Sequence, residues 1–383
     1  MKKIILLMFV FMCMFFYAFT VNAENGEENI SQSEEYQQIV EELTQSMENA
    51  AGSDVNEILE EQDISLERPE SISEISIGSV IDSIFSSFMD VIKKPAVMLG
   101  KIIAITLLCV TAKSMAPDGS SVTKAFNIIG ILSTITVMYD TVYSSIEIIR
   151  SSLERLAEFM TAYIPIFSSV AAVGGSVTAS ESYYAVTFIL CEIIGFAAKS
   201  VIMPFLSIVL AISLVSAINP NLQFSGAAES VKKACHWILG GMMTIFVGLL
   251  SIQGLSGSAA DTLASRAVKF AASSFIPVIG GAVSEAYSTI HSSMGVIRTG
   301  IGSIGIIIIC IMLLKPVVTI IAIKFIVSIA QIISGIFEQK ECSEFLKSTN
   351  AVMSIGLSVI ICFSVIFVIA TAVLMMTAMN IGA

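Results

Sequence analysis

The sequence predicts an all-α polytopic membrane protein with about six to eight transmembrane helices, together with re-entrant or amphipathic connectors. Three observations predict it. Hydrophobic residues make up 55% of the 383 residues and charged residues only 13%, whereas a soluble domain is about a quarter charged. The mean hydropathy is +0.87. The apolar residues are also gathered into runs at 95–115, 125–148, 183–217, 235–257, 296–335 and 350–378, and about 20 apolar residues suffice to cross a bilayer.

The chain begins MKKIILLMFVFMCMFFYAFTVNA. Lys2 and Lys3 precede an apolar stretch, and Val21-Asn22-Ala23 gives a small-residue cleavage pattern. Residues 1–23 are therefore expected to be a secretory signal peptide, which places residue 24 outside the cytoplasm. Residues 24–80 form an expected extracytoplasmic segment. Within it, residues 24–74 hold 16 Asp or Glu against one Arg. The formal charge of −11 thus belongs to this segment, and the remainder is nearly neutral. Ile39, Val40, Leu43 and Met47 fall at helical spacing there, as expected of a short amphipathic helix.

The multi-spanning body is expected over 81–383. Runs 183–217 and 296–335 are long enough for two passes, and Lys199 and Lys315 lie where a hairpin would turn. Pro95, Pro204 and Pro316 recur at similar spacing, each near a lysine and each expected to open an apolar helix. Polar loops follow (SSVTK at 120–124, SGAAESVKK at 225–233, CSEFLKS at 342–348). This pattern predicts a three-fold repeat near 95–149, 199–257 and 315–378. Connectors at 155–175 and 266–281 carry AYIPIF and SFIPVIGG, whose Pro and Gly content suggests irregular backbone. The loop lysines place 113–124, 218–234 and 338–348 on the cytoplasmic side.

Catalytic constellations are not found. The two histidines, His236 and His291, have no partner at metal-ligand spacing, and no HExxH, GxSxG or phosphate-binding glycine loop occurs. His236 beside Trp237 reads as an interfacial residue. The seven cysteines form no CxxC pair and read as small buried hydrophobes. No enzymatic activity, cofactor, catalytic residue or metal site is expected. No basic stripe suits nucleic acid. The functional pointers are charges inside apolar runs: Asp140 and Glu147 seven apart on one face, Glu192 and Lys199 likewise, and Lys324. Such charges face protein or water, or snorkel to headgroups from helix ends. Gly240/Gly241, Gly295/Gly300 and Gly302/Gly305 suggest close helix packing.

The stretch SRAVKFAASSFIPVIGGAVSEAYSTI at 265–290, followed by IIIICIMLLKPVVTIIAIKFIVSIAQIISG at 306–335, resembles the stage III sporulation protein AE family of endospore-forming bacteria. The resemblance marks Arg266, Lys269, Phe275, Pro277, Gly280, Gly281 and Glu285 as signature positions without assigned roles. It implies a multi-pass protein of the mother-cell membrane around the forespore, working with other stage III sporulation operon proteins and a forespore-membrane partner. Together they would form a channel or secretion-like complex needed for late forespore gene expression, with this chain as a homo-oligomer in contact with membrane lipid. A stand-alone secondary transporter and a structural scaffold for ring-forming partners are the alternatives.

Overall fold

In the computed structural model, the described residues are 77–115, 121–173, 177–218, 229–250 and 280–379, with short pieces at 45–47, 51–52, 55, 252 and 263. The expected signal peptide, most of the acidic segment and the signature residues Arg266, Lys269, Phe275 and Pro277 lie outside them. The body from Gly78 onward forms one compact unit, and all that follows concerns it.

The described secondary structure is helical, with no strand. Helix α1 spans Ile77–Ser114 and α2 spans Ser121–Val173. Helix α3, Val177–Ala197, runs through a π turn, Ala198–Ile202, into α4, Met203–Ile218. Helix α5 covers Glu229–Leu250, α6 Gly280–Ile336 and α7 Lys340–Met379. Six helical stretches are long and apolar enough to cross a membrane. The protein is an all-α, multi-pass membrane protein.

Several expected breaks are not breaks. Pro95 and Pro316 lie inside α1 and α6 rather than opening helices. No hairpin turns at Lys315, because α6 continues through Lys315-Pro316. Nor does one turn at Lys199. There the π turn leads into Pro204, and its wider loop relieves the clash a proline ring makes with the carbonyl one α-turn earlier. The connector AYIPIF is also helical: α2 passes through Pro165 to Val173. A proline costs a helix about 3 kcal/mol. Here Phe159, Tyr163, Ile164 and Phe167 are all fully buried around it, and that burial outweighs the local cost.

The expected loop 338–348 contracts to the turn 337–339, and CSEFLKS forms the start of α7. The reason is a Schellman C-cap. Glu338 adopts φ 53°, the Glu338 amide donates to the Gly335 carbonyl (3.1 Å), and the Gln339 amide donates to the Ser334 carbonyl (2.9 Å). Lys232 and Lys233, read as loop residues, belong to α5.

Helix α7 is the hub, packing on α2, α3, α4 and α6, while α5 reaches it through Ser358 and Cys362. Cys342 lies 3.6 Å from Thr134 on α2, and about four turns further Gly356 abuts Ile149. Helices α2 and α7 therefore run parallel in constant register. Helix α6 is antiparallel to both, pairing Asn350 with Ser328 and Lys324 with Ser354 at one level and placing Gly305 on Tyr163 at another. An aromatic ladder fills the far end: Phe159 stacks on Tyr163 (5.5 Å), Tyr163 on Phe167 (5.3 Å), and Phe167 meets Tyr183 edge-on (5.7 Å). Cys109 on α1 contacts the Phe126 carbonyl at 3.7 Å, so the α1–α2 and α6–α7 turns lie at the same end.

Candidate functional site

Helix α2 has two faces set by its sequence. Met138, Val142, Ser145, Ile149, Leu153, Leu156, Phe159, Met160 and Tyr163 are buried, and their spacing of three or four traces one stripe. Opposite them fall Asp140, Ser144, Glu147, Ser151, Glu154, Glu158 and Thr161, alternating four and three residues apart. Asp140, Ser144, Glu158 and Thr161 are exposed. At the centre Arg150 bridges two carboxylates. Its Nη1 donates to both oxygens of Glu154 (2.8 Å each), and its Nε donates to Glu147 Oε2 (3.0 Å). The side chains of Arg150, Glu147 and Glu154 remain 44%, 45% and 40% exposed. Pairs this open contribute little to stability, so their value is to make the face polar.

The register decides what this face can touch. Residues 147–158 of α2 lie beside residues 355–366 of α7, where α7 reads IGLSVIICFSVI and is mostly buried apolar side chains. The polar face thus sits level with the apolar middle of the bundle. Each charge placed in hydrocarbon costs at least about 2.5–3.5 kcal/mol. Three charges and two further carboxylates on one face are incompatible with lipid there and call for water or a polar partner. The other outer surfaces are mostly apolar, with Glu192 on α3 exposed among them. Ile189, Ile193 and Phe196 on α3, Phe205 and Ile208 on α4, Ile238, Ile245 and Leu249 on α5, and Phe325 and Ile332 on α6 are exposed and apolar, as lipid requires.

The charges singled out from sequence therefore separate. Asp140 and Glu147 share the polar face. Glu192 is exposed on α3 beside Ile193. Lys199 lies in the π turn. Lys324 is half-buried between α6 and α7, its Nζ donating to Ser354 Oγ at 2.6 Å. Of the signature positions, Gly280, Gly281 and Glu285 form the opening turns of α6. Arg150, Glu154 and Glu158 went unrecognised because the membrane helix was ended at 148; the four-three spacing that continues past Glu147 was the available signal. His236, expected at a membrane interface, places its Nε2 3.2 Å from Ser358 Oγ on α7. Among the described residues no group of three His, Cys, Asp or Glu is placed to hold a metal ion.

Gly302 and Gly305 are close-approach positions: a Cβ on Gly302 would strike Met375 and one on Gly305 would strike the Tyr163 ring. Gly240 and Gly241 face open space.

Among known proteins, the family described as stage III sporulation protein AE matches residues 66–378. A curated relative, stage III sporulation protein AE of Bacillus subtilis (strain 168), is 23% identical over 252 residues, covering 65% of this chain and 63% of the relative. The aligned part thus spans less than two thirds of that relative's length. No solved structure matches.

Proposed function

Because this chain belongs to the stage III sporulation protein AE family, we propose that it is a non-enzymatic, membrane-embedded subunit of a channel complex between mother cell and forespore, and that the polar face of α2 borders the aqueous path. In this reading several copies surround the path in the mother-cell membrane, with other stage III sporulation proteins and a forespore-membrane partner completing it. Each copy turns Asp140, Glu147, Arg150, Glu154 and Glu158 inward and its apolar α3–α5 surface toward lipid. The observation that carries the proposal is the level of the α2 charges, beside the apolar middle of α7. With exposed Arg155 counted, the outer side of α2 over 140–158 carries four carboxylates to two arginines, a net acidity that would favour cationic or neutral passengers.

The alternatives make different demands. A stand-alone transporter would work as a monomer or dimer around a closed central site, whereas here the strongest polar feature is on an outer face. A scaffold would need no continuous polar stripe. The test is the oligomeric state of the full chain in mild detergent, by mass photometry and cryo-EM class averages. A closed ring of three or more copies with α2 innermost is expected. A monomer, or a ring with α2 outermost, would overturn the reading.

A further inference from the structure

Helices α5, α6 and α7 meet around Lys324. Its ammonium donates to Ser354 Oγ (2.6 Å), whose own hydroxyl donates to the Asn350 carbonyl (2.8 Å). Asn350 Nδ2 donates to Ser328 Oγ (2.7 Å), and Ser328 donates to the Lys324 carbonyl (2.8 Å). From α5, His236 Nδ1 lies 2.7 Å from the Lys232 carbonyl. Its Nε2 lies 3.2 Å from Ser358 Oγ on α7, and the Ser358 hydroxyl donates to the Ser354 carbonyl (2.8 Å). Lys232 thus lies one helical turn from His236, which meets Ser358, itself one turn from the Ser354 that holds Lys324.

The cluster is short of negative charge. The segments that surround it, 203–218, 229–250, 315–336 and 350–379, contain one carboxylate, Glu229. Glu229 is 3.7 Å from Lys232 with its own side chain 51% exposed. Asp140 and Glu147 are on the outward face of α2. Among the described residues Lys324 pairs with a hydroxyl and with no carboxylate. A half-buried ammonium without a counter-charge is costly, by several kcal/mol when fully buried, and here a second lysine adds repulsion.

We propose that Lys324 and Lys232, with Ser354 and Ser358, form a binding site for a phosphate group, supplied by an acidic phospholipid headgroup or by free phosphate. Two ammonium groups from different helices supply the charge, and the hydroxyls can turn their protons from backbone carbonyls to phosphate oxygens. The site lies between the first turns of α5 and Ser354–Ser358 of α7, at the edge of the apolar run of α7 and level with Glu147 of α2. Basic pockets between membrane helices bind lipid headgroups by this chemistry.

The test uses the purified full-length chain and two probes. Native mass spectrometry measures retention of phosphatidylglycerol against phosphatidylcholine, and thermal unfolding is followed with and without inorganic phosphate. Lys324→Met should weaken phosphatidylglycerol retention about tenfold, roughly the loss of one strong ionic contact, while Lys324→Arg retains it. Lys113→Met, at the α1 end, should change nothing. If phosphate stabilises the wild type but not Lys324→Met, and the lipid does not discriminate, the source is free phosphate and the site stands. The proposal is overturned if neither probe distinguishes wild type from Lys324→Met, or if Lys113→Met loses binding equally. Should Lys324→Met fail to accumulate, Lys232→Gln on the other helix carries the same comparison.

Discussion

Gly305→Leu is expected to remove the folded protein from the membrane. A Cβ at Gly305 would lie 2.5 Å from two ring carbons of Tyr163 and 2.6 Å from its hydroxyl. Tyr163 cannot yield, because it is fully buried and sandwiched between Phe159 and Phe167. Overpacking a tight core by a few atoms costs about 1–3 kcal/mol, and a whole isobutyl group against a fixed ring exceeds that range. The other tight glycines should respond less. At Gly356 the obstacle is the end of the Ile149 side chain, and at Gly302 it is the thioether of Met375; a terminal methyl or an unbranched thioether shifts at less cost than a ring held between two others. The order of loss in membrane-fraction abundance should be Gly305→Leu, then Gly302→Leu and Gly356→Leu. Gly240→Leu, which meets open space, should match wild type. A Gly305→Leu protein that accumulates and melts like wild type would refute the packing of α6 on α2.

The second large effect concerns function without loss of fold. The triple change Glu147→Leu, Arg150→Leu, Glu154→Leu removes an ion-paired group that is 40–45% exposed and touches none of the buried stripe. If that face met lipid, three leucines would favour insertion by at least about 2.5 kcal/mol per charge removed, and the protein would persist with full activity. If the face borders water, the protein persists but the path is lined by hydrocarbon, which obstructs it by dewetting. The expected result is near-normal abundance with spore yield reduced by several orders of magnitude, arrested after engulfment. Normal spore yield would remove α2 from the path. Because all three charges change together, Arg150 is not left unpaired, and the loss cannot be ascribed to a stranded cation.

Much of the fold was legible because composition and run length report directly on solvent. Within the described residues the apolar runs lie on the helices named here, and Asp140 with Glu147 already indicated one face of α2. What stayed hidden has physical causes. Proline was read as punctuation at 95, 165 and 316, yet its penalty is local, and long-range burial, such as that of Tyr163 and Phe167, overrides it. The 342–348 segment looked like a loop from its polar residues, whereas the stop signal is the left-handed Glu338, a residue type with no special preference for that conformation. The π turn at 198–202 leaves no composition signature beyond the following Pro204. The partner of Lys324 could not be found from spacing, since Ser354 is 30 residues away on another helix. The polar face of α2 was only half-read, because Arg150 and Glu154 lie past the apolar run that ends at 148 and Glu158 lies in the expected connector 155–175.

The central claim, that the outward face of α2 meets water at the level of the apolar bundle, is tested most directly by single-cysteine modification. In a chain freed of native cysteines, residues 140, 144, 147, 151, 154, 158 and 161 are replaced by cysteine one at a time, alongside Ile189, Ile208, Ile245 and Phe325 on the lipid-facing helices. A charged, water-soluble thiol reagent is then applied to the protein in membranes. The account predicts rapid modification along the whole α2 stripe, repeating every three to four residues, and slow modification at the four comparison sites. Uniformly slow modification of the α2 stripe, with rates like those of Ile245→Cys, would contradict it.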